Sequence, residues 1–200
     1  MILKTSKYGM ACNGFPEQKG GTKDMELEEI RQEIDRVDGQ MKNLFLKRMD
    51  LCGKVIEAKK RTGAAVYAPK REQEILSART EDVKEEYRLV CGAFFKQTME
   101  ISRAYQYAQT AKGSEKLTGL PQGSGRAEIS FSCEDESGQP AVFLNAAALA
   151  GLCVEEFTMK REKGRMLCGL CVSGDFSENL SKAAVLQILE ECADAKAAFF

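Results

Sequence analysis

The chain has 200 residues, 44% of them hydrophobic, with 29 Lys and Arg against 30 Asp and Glu, no histidine, and a pI near 5.8. The balanced charge offers no basic surface for nucleic acid, and the missing histidine excludes histidine-based triads and His-ligated metal sites. No run approaches the roughly 18 apolar residues of a membrane span, and the start, MILKTSKYGMACNGFPEQKGGTKD, lacks the apolar core of a signal peptide. A cytoplasmic chain of one domain or two small ones is therefore expected.

Residues 1–24, rich in Gly and Lys without periodicity, are expected to form a flexible tail, with order beginning near Met25. A long helix follows. Leu27, Ile30, Ile34, Val37, Met41 and Leu44, then Leu51, Val55 and Ala58, recur at steps of three and four as one apolar seam. Asp24 suits the N-cap, Glu26, Glu28 and Glu29 crowd the first turn, and Lys59, Lys60 and Arg61 precede Gly63, as the helix dipole favours. So long a helix cannot bury its seam within a small monomer, so oligomerisation is expected. Pro69 opens a short helix through about Ala78. A third helix, Asp82 to Thr110, carries Val83, Tyr87, Val90, Phe94, Ile101 and Tyr105 on one face.

The stretch AKGSEKLTGLPQGSG, residues 111–125, has the composition of a linker. It divides a helical domain, 25–111, from a second domain, 126–200. In that domain AEISFSCE alternates as a half-buried strand, followed by a helix near 140–150, strands near 152–160 and 165–173, a helix near 178–192 and a final AKAAFF. The order βαββαβ describes a small α+β sandwich. Of the eight cysteines, Cys168 and Cys171 form CGLC on a strand, where positions three apart face opposite ways. They and Cys12, Cys52, Cys91, Cys133, Cys153 and Cys192 are read as mostly reduced and structural.

The first helix contains an arginine, Arg48, at a position of the seam that calls for an apolar residue. A charge on a buried face needs a carboxylate or an anionic ligand beside it. Lys59, eleven residues on, projects to nearly the same side, so the two cations could converge on one anion. Arg31 lies about 25 Å back along the axis and cannot reach the same small ligand. Antiparallel pairing of two first helices would instead bring Arg31 of one chain to the Arg48 site of the other. Arg71 and Glu72 stand in the first turn of the second helix, and Ser102 and Gln106 share a face of the third. The set holds several cations, one carboxylate and two neutral hydrogen-bonding groups, without an activated nucleophile or a metal cluster. It suits gripping an anion; the alternative is ordinary helix-surface charge with an occasional interhelical salt bridge.

The stretches ELEEIRQEIDRVDGQM, LFLKRMDLCGKVIEAKK, VYAPKREQEIL and MEISRAYQ together resemble the all-helical chorismate mutases, intertwined dimers of three-helix chains that convert chorismate to prephenate. The resemblance covers about Met25 to Gln109. It implies that Arg31 crosses to the partner's site, that Arg48 clamps a substrate carboxylate, and that Lys59 contacts a carboxylate and the ether oxygen. It implies that Arg71 and Glu72 are the family's Arg-Glu pair, the glutamate accepting from the ring hydroxyl. Ser102 and Gln106 then sit near a carboxylate and the ether oxygen. Lys59, Gln106, Arg48 and Glu72 are the catalytic candidates, with no cofactor and no metal. Where some members carry an aspartate near the hydroxyl, this chain has Ala68. An isochorismate pyruvate-lyase on the same fold is the nearest rival, and a non-catalytic helical binding or regulatory subunit is another. The second domain resembles the ACT domain, a βαββαβ module that often binds amino acids, by element order. SGQPAVFLNAAALAG lacks a clear Pro-Gly pair, and TMKREKG stands where phenylalanine-binding versions carry an ESRP-like stretch. The partners implied are chorismate, a second copy of the chain and an aromatic amino acid as candidate effector. The stretch after Lys112 is expected to be too short for an added dehydratase or dehydrogenase domain.

Overall fold

The computed structural model describes residues 26–134 and 139–200 and divides into two compact units, Met1–Leu44 and Phe45–Phe200. The expected tail and the Asp24 cap lie outside the described residues. The division falls within the first helix.

In the first unit, the described residues belong to helix α1, Leu27–Thr62. Glu28 and Glu29 occupy its first turn, and the Glu26 N–H donates to Glu29 Oε2 at 3.3 Å. Exposed i,i+3 pairs, Arg31 with Glu28 at 3.7 Å and Arg36 with Glu33 at 2.7 Å, add a few tenths of a kcal/mol each. Leu27, Ile30, Ile34, Val37, Met41 and Leu44, the first part of the seam, are all exposed in the single chain.

In the second unit, α1 ends at Gly63, whose φ of +68° a side chain would strain. The Ala64 N–H reaches back to the Lys59 carbonyl at 3.2 Å, closing a Schellman-type end. The face this part of α1 buries is Cys52 and Ile56, with Arg48, Met49 and Lys59 half-buried beside them. The seam residues Leu51 and Val55 are exposed, so the seam and the face packed within the chain are different sides of one helix.

Helix α2, Pro69–Thr80, opens on proline and runs two residues past the expected end. Thr80 Oγ1 donates to the Leu76 carbonyl at 2.9 Å and the Glu81 N–H to the Ser77 carbonyl at 3.1 Å, which carries the last turn onward. Helix α3, Glu85–Ala111, begins three residues later than expected. Its buried residues are Met99, Ser102, Arg103, Ala104, Gln106, Tyr107, Ala108 and Ala111. Ile101 and Tyr105 of the predicted stripe are half-buried, while Tyr87, Val90 and Phe94 are exposed. Residues 112–125 include a 3-10 turn, Glu115–Leu117, and bury Leu117 and Leu120.

The remaining elements follow the order read from the sequence: β1 Ser124–Glu134, α4 Gln139–Leu149, β2 Cys153–Glu162, β3 Arg165–Asp175, α5 Asn179–Glu191 and β4 Lys196–Phe199. The sheet order is β2-β3-β1-β4, and every neighbouring pair is antiparallel. β1 and β2 are thus parallel with β3 between them, a split βαβ arrangement. Ile129 faces Leu170 on one side and Ala197 on the other, and Phe157 lies opposite Leu170. Along β1, Ala127, Ile129, Phe131 and Cys133 turn into the core and Arg126, Glu128 and Ser130 turn out. Phe131 meets Phe143 of α4 edge to face at 5.1 Å. Helix α5 is buried on several sides, from Ala183 to Ile188, because it packs against both β1 and α3. Cys168 belongs to the core cluster, whereas Cys171 accepts from Arg126 Nε at 2.9 Å outside it. The CGLC thiols thus face opposite ways. The described cysteines are free thiols.

Candidate functional site

Helices α1, α2 and α3 of the second unit bring together five of the residues singled out in the sequence. Arg48 donates from Nη1 to Ser102 Oγ, in very close contact, and to the Thr98 carbonyl at 3.3 Å. Ser102 in turn donates to the same Thr98 carbonyl at 2.8 Å. An i,i+4 back-bond of this kind anchors the hydroxyl on its own helix, so it presents a lone pair to the guanidinium. Arg48 thereby ties α1 to α3 through one carbonyl and one hydroxyl, with no carboxylate among these contacts, leaving its positive charge uncompensated by them.

One turn along α3, Gln106 is buried and donates from Nε2 to the Ser102 carbonyl at 3.3 Å. Its Oε1 is buried with no hydrogen-bond partner among the described residues. An amide nitrogen carries two hydrogens, so one N–H of Gln106 remains to donate. A buried polar group left in this state loses about 1–3 kcal/mol until something completes it.

Three turns along α1 from Arg48, the Lys59 ammonium donates to the Val66 carbonyl at 2.5 Å, pinning the α1–α2 loop. Burial lowers the Lys59 pKa, and the carboxylate of Glu72 opposes that shift. Reciprocally, burial raises the Glu72 carboxyl above its ordinary value, against the pull of Arg103 first and Lys59 after it, while Glu100 adds to the rise. Lys59 and Glu72 are therefore electrostatic neighbours in a partly desolvated place. These side chains set cations along α1, amide and hydroxyl groups along α3, and one carboxylate on α2.

The other predicted residues are placed differently. Arg71 is exposed and pairs with Glu74 at 3.1 Å rather than with a site residue. Arg31 belongs to the first unit and pairs with Glu28. Ala68 is the N-cap of α2 and makes no side-chain cap bond. Among the described residues, no group of His, Cys, Asp or Glu is arranged to hold a metal ion, and no helix is long and apolar enough to cross a membrane.

Sequence reasoning missed three residues. Arg103 is buried on α3, its guanidinium 3.3 Å from Glu191 of α5 and 3.8 Å from Glu72. Its guanidinium carbon also lies 4.4 Å from the centre of the Tyr67 ring, a cation–π contact. The apolar stripe of α3 could not point to Arg103, because it lies off that stripe and is buried where α5 packs against α3.

Residues 30–107 match the family described as chorismate mutase type II. A T-protein from Enterobacter agglomerans is 37% identical over 59 residues, which make up 30% of this chain and 16% of that protein. A T-protein from Haemophilus influenzae is 42% identical over 53 residues, 26% of this chain and 14% of that one. The matched segment thus spans less than a fifth of either relative's length. No solved structure matches the chain.

Proposed function

We propose that this chain rearranges chorismate to prephenate. The observation that carries the reading is the convergence of Arg48, Ser102, Gln106, Lys59 and Glu72 on three helices, all inside the stretch that matches chorismate mutase type II.

The rearrangement is intramolecular: a carbon–oxygen bond breaks while a carbon–carbon bond forms, and no proton has to move. The protein therefore needs neither nucleophile nor base. Arg48 grips one substrate carboxylate with its planar fork and holds the flexible substrate compact, which lowers the entropic part of the barrier. Negative charge grows on the ether oxygen as its bond to the ring weakens. Lys59 and the remaining N–H of Gln106 donate to that oxygen more strongly in the transition state than in the bound substrate. Glu72 accepts from the ring hydroxyl. Gln106 does not titrate, so its contribution is independent of pH.

The reading includes a homodimer, supported by the exposed apolar side chains of α1 and by Tyr87, Leu89, Val90 and Phe94 on α3. In that dimer Arg31 enters the partner's pocket, which explains why its one ion pair within the chain is weak and exposed. Residues 124–199 are read as an ACT-like domain on the strength of the split βαβ topology, with an aromatic amino acid as its candidate effector.

The test is to incubate the purified chain with chorismate and, separately, isochorismate, assaying prephenate and pyruvate with and without phenylalanine or tyrosine. Prephenate from chorismate is expected. Pyruvate from isochorismate alone would replace the mutase by a lyase, and no turnover of either would leave a binding module.

A further inference from the structure

Two carboxylates from distant parts of the chain compete for one guanidinium nitrogen. Arg103 Nη1 is within ion-pair distance of Glu191 Oε2 on α5 and of Glu72 Oε1 on α2. The Arg103 and Glu191 side chains are 6% and 5% exposed, so water screens this pair little, while Glu72 is 25% exposed. Arg103 Nε and Glu191 Oε1 are buried without hydrogen-bond partners among the described residues, so the pair is not in a saturated, rigid network. Tyr107 and Gln187 act on the Glu191 carboxylate from beside it, and Tyr67 lies under the guanidinium. On the pocket side, the charged groups acting on Glu72 are Arg103, Glu100, Lys59 and Lys96.

We propose that Arg103 is a positioning residue for Glu72, and that Glu191 on α5 sets the strength of that hold by sharing the same guanidinium nitrogen. Arg103 reaches no substrate atom itself. It fixes where the Glu72 carboxylate sits and keeps it ionised, as a hydroxyl acceptor must be. When Glu191 is ionised it draws the guanidinium toward α5 and adds a like charge near Glu72; when Glu191 is neutral, Arg103 serves Glu72 alone. Because α5 packs on the sheet, the α+β part of the chain bears on a residue of the helical pocket through one arginine. The role assigned to Glu72 rests on the proposed function; the electrostatic coupling does not.

The experiment uses the full chain with 13C-labelled glutamate, and titrates the Glu72 carboxyl by NMR, its signal assigned by its loss in Glu72→Gln. Wild type, Arg103→Met and Glu191→Gln are compared, and kcat and KM for chorismate are measured on the same samples from about pH 5 to 9. Arg103→Met is expected to raise the Glu72 midpoint and to lower kcat/KM about tenfold, and to lower it no further when Glu72→Gln is already present. Glu191→Gln keeps the size and polarity of the buried side chain, so it is the variant read out where Arg103→Met does not fold. It is expected to lower the Glu72 midpoint and to shift the acid limb of kcat/KM with it. Identical Glu72 midpoints in the folded proteins, or additive losses in the double variant, would overturn the proposal. A wild type that leaves chorismate untouched would overturn the functional reading only, since the NMR titration still decides the coupling.

Discussion

Removing the Arg48 guanidinium while keeping its apolar stem separates catalysis from folding. In Arg48→Met the side chain still packs beside Met49 and Cys52, and Ser102 keeps its hydrogen bond to the Thr98 carbonyl at 2.8 Å. The Thr98 carbonyl and the Ser102 hydroxyl keep each other, and Cys52 Sγ loses only a weak contact at 3.7 Å, so the change in stability is expected to stay within about 1 kcal/mol. Hydrogen bonds to charged groups contribute about 1.5–3 kcal/mol each. A two-pronged grip on a carboxylate therefore accounts for roughly 3–6 kcal/mol, which at about 1.4 kcal/mol per tenfold is a loss of about 10² to 10⁴ in kcat/KM. Steady-state kinetics with chorismate, run beside thermal melts of the same preparations, measures both quantities. Arg48→Lys retains a point charge without the fork and is expected to fall between the two. A kcat/KM for Arg48→Met within threefold of wild type, at unchanged melting temperature, would refute the role given to the guanidinium.

Burial pushes the Glu191 carboxyl up to about 7, so between its ordinary range and that value the folded chain holds a proton that the unfolded chain has lost. Stability from this group is full below about pH 4.5 and declines as pH rises toward 7, by about 3 kcal/mol in all. Glu191→Gln is expected to flatten that decline in melts taken from about pH 5 to 8, and a variant whose stability falls as steeply as wild type would contradict the assignment. Ala68 is a helix N-cap without a side-chain cap bond. Ala68→Asp is expected to stabilise the chain by about 1 kcal/mol, seen as a higher melting temperature. At Gly125 an added Cβ would lie 2.4 Å from the Pro121 ring and 2.9 Å from the Phe200 carbonyl. Gly125→Ala is expected to cost about 1–3 kcal/mol in urea unfolding, and a neutral result would contradict the packing of Pro121 against β1.

Local order was legible because it depends on neighbours in sequence. The seam spacing, Pro69 and Gly63 located α1 and α2, and the alternation of Ala127, Ile129, Phe131 and Cys133 located β1. The ends moved where a side chain bonded back to the helix, as Thr80 does. What could not be read was which apolar face meets what. Leu51 and Val55 fit the periodicity as well as any residue, yet Cys52 and Ile56 are the buried ones, because α3 packs one step around the helix. On α3 the regular stripe of Tyr87, Val90 and Phe94 is exposed, and the burial falls instead on Met99 to Ala111, where α5 lies against it.

The site was legible in part for the same reason. Arg48 breaks a regular pattern, Lys59 follows it at a helical spacing, Ser102 and Gln106 share a face four residues apart, and Glu72 stands in the first turn of α2. Arg103 does not stand out because it lies off the apolar stripe of Ile101 and Tyr105 and is buried only by an element distant in sequence. Its partner Glu191 is 88 residues away, a separation no periodicity reports. Arg71 shows the converse: adjacent to Glu72 in sequence, it turns to the surface and Glu74.

Whether the cations of α1 catalyse a rearrangement without proton transfer is decided by following chorismate loss and prephenate formation in wild type and Lys59→Ala side by side. Stoichiometric prephenate is expected from the wild type, and loss of most of that activity in a variant whose helices remain folded. Equal turnover by the two proteins, or none by the wild type, would contradict that role for the cations.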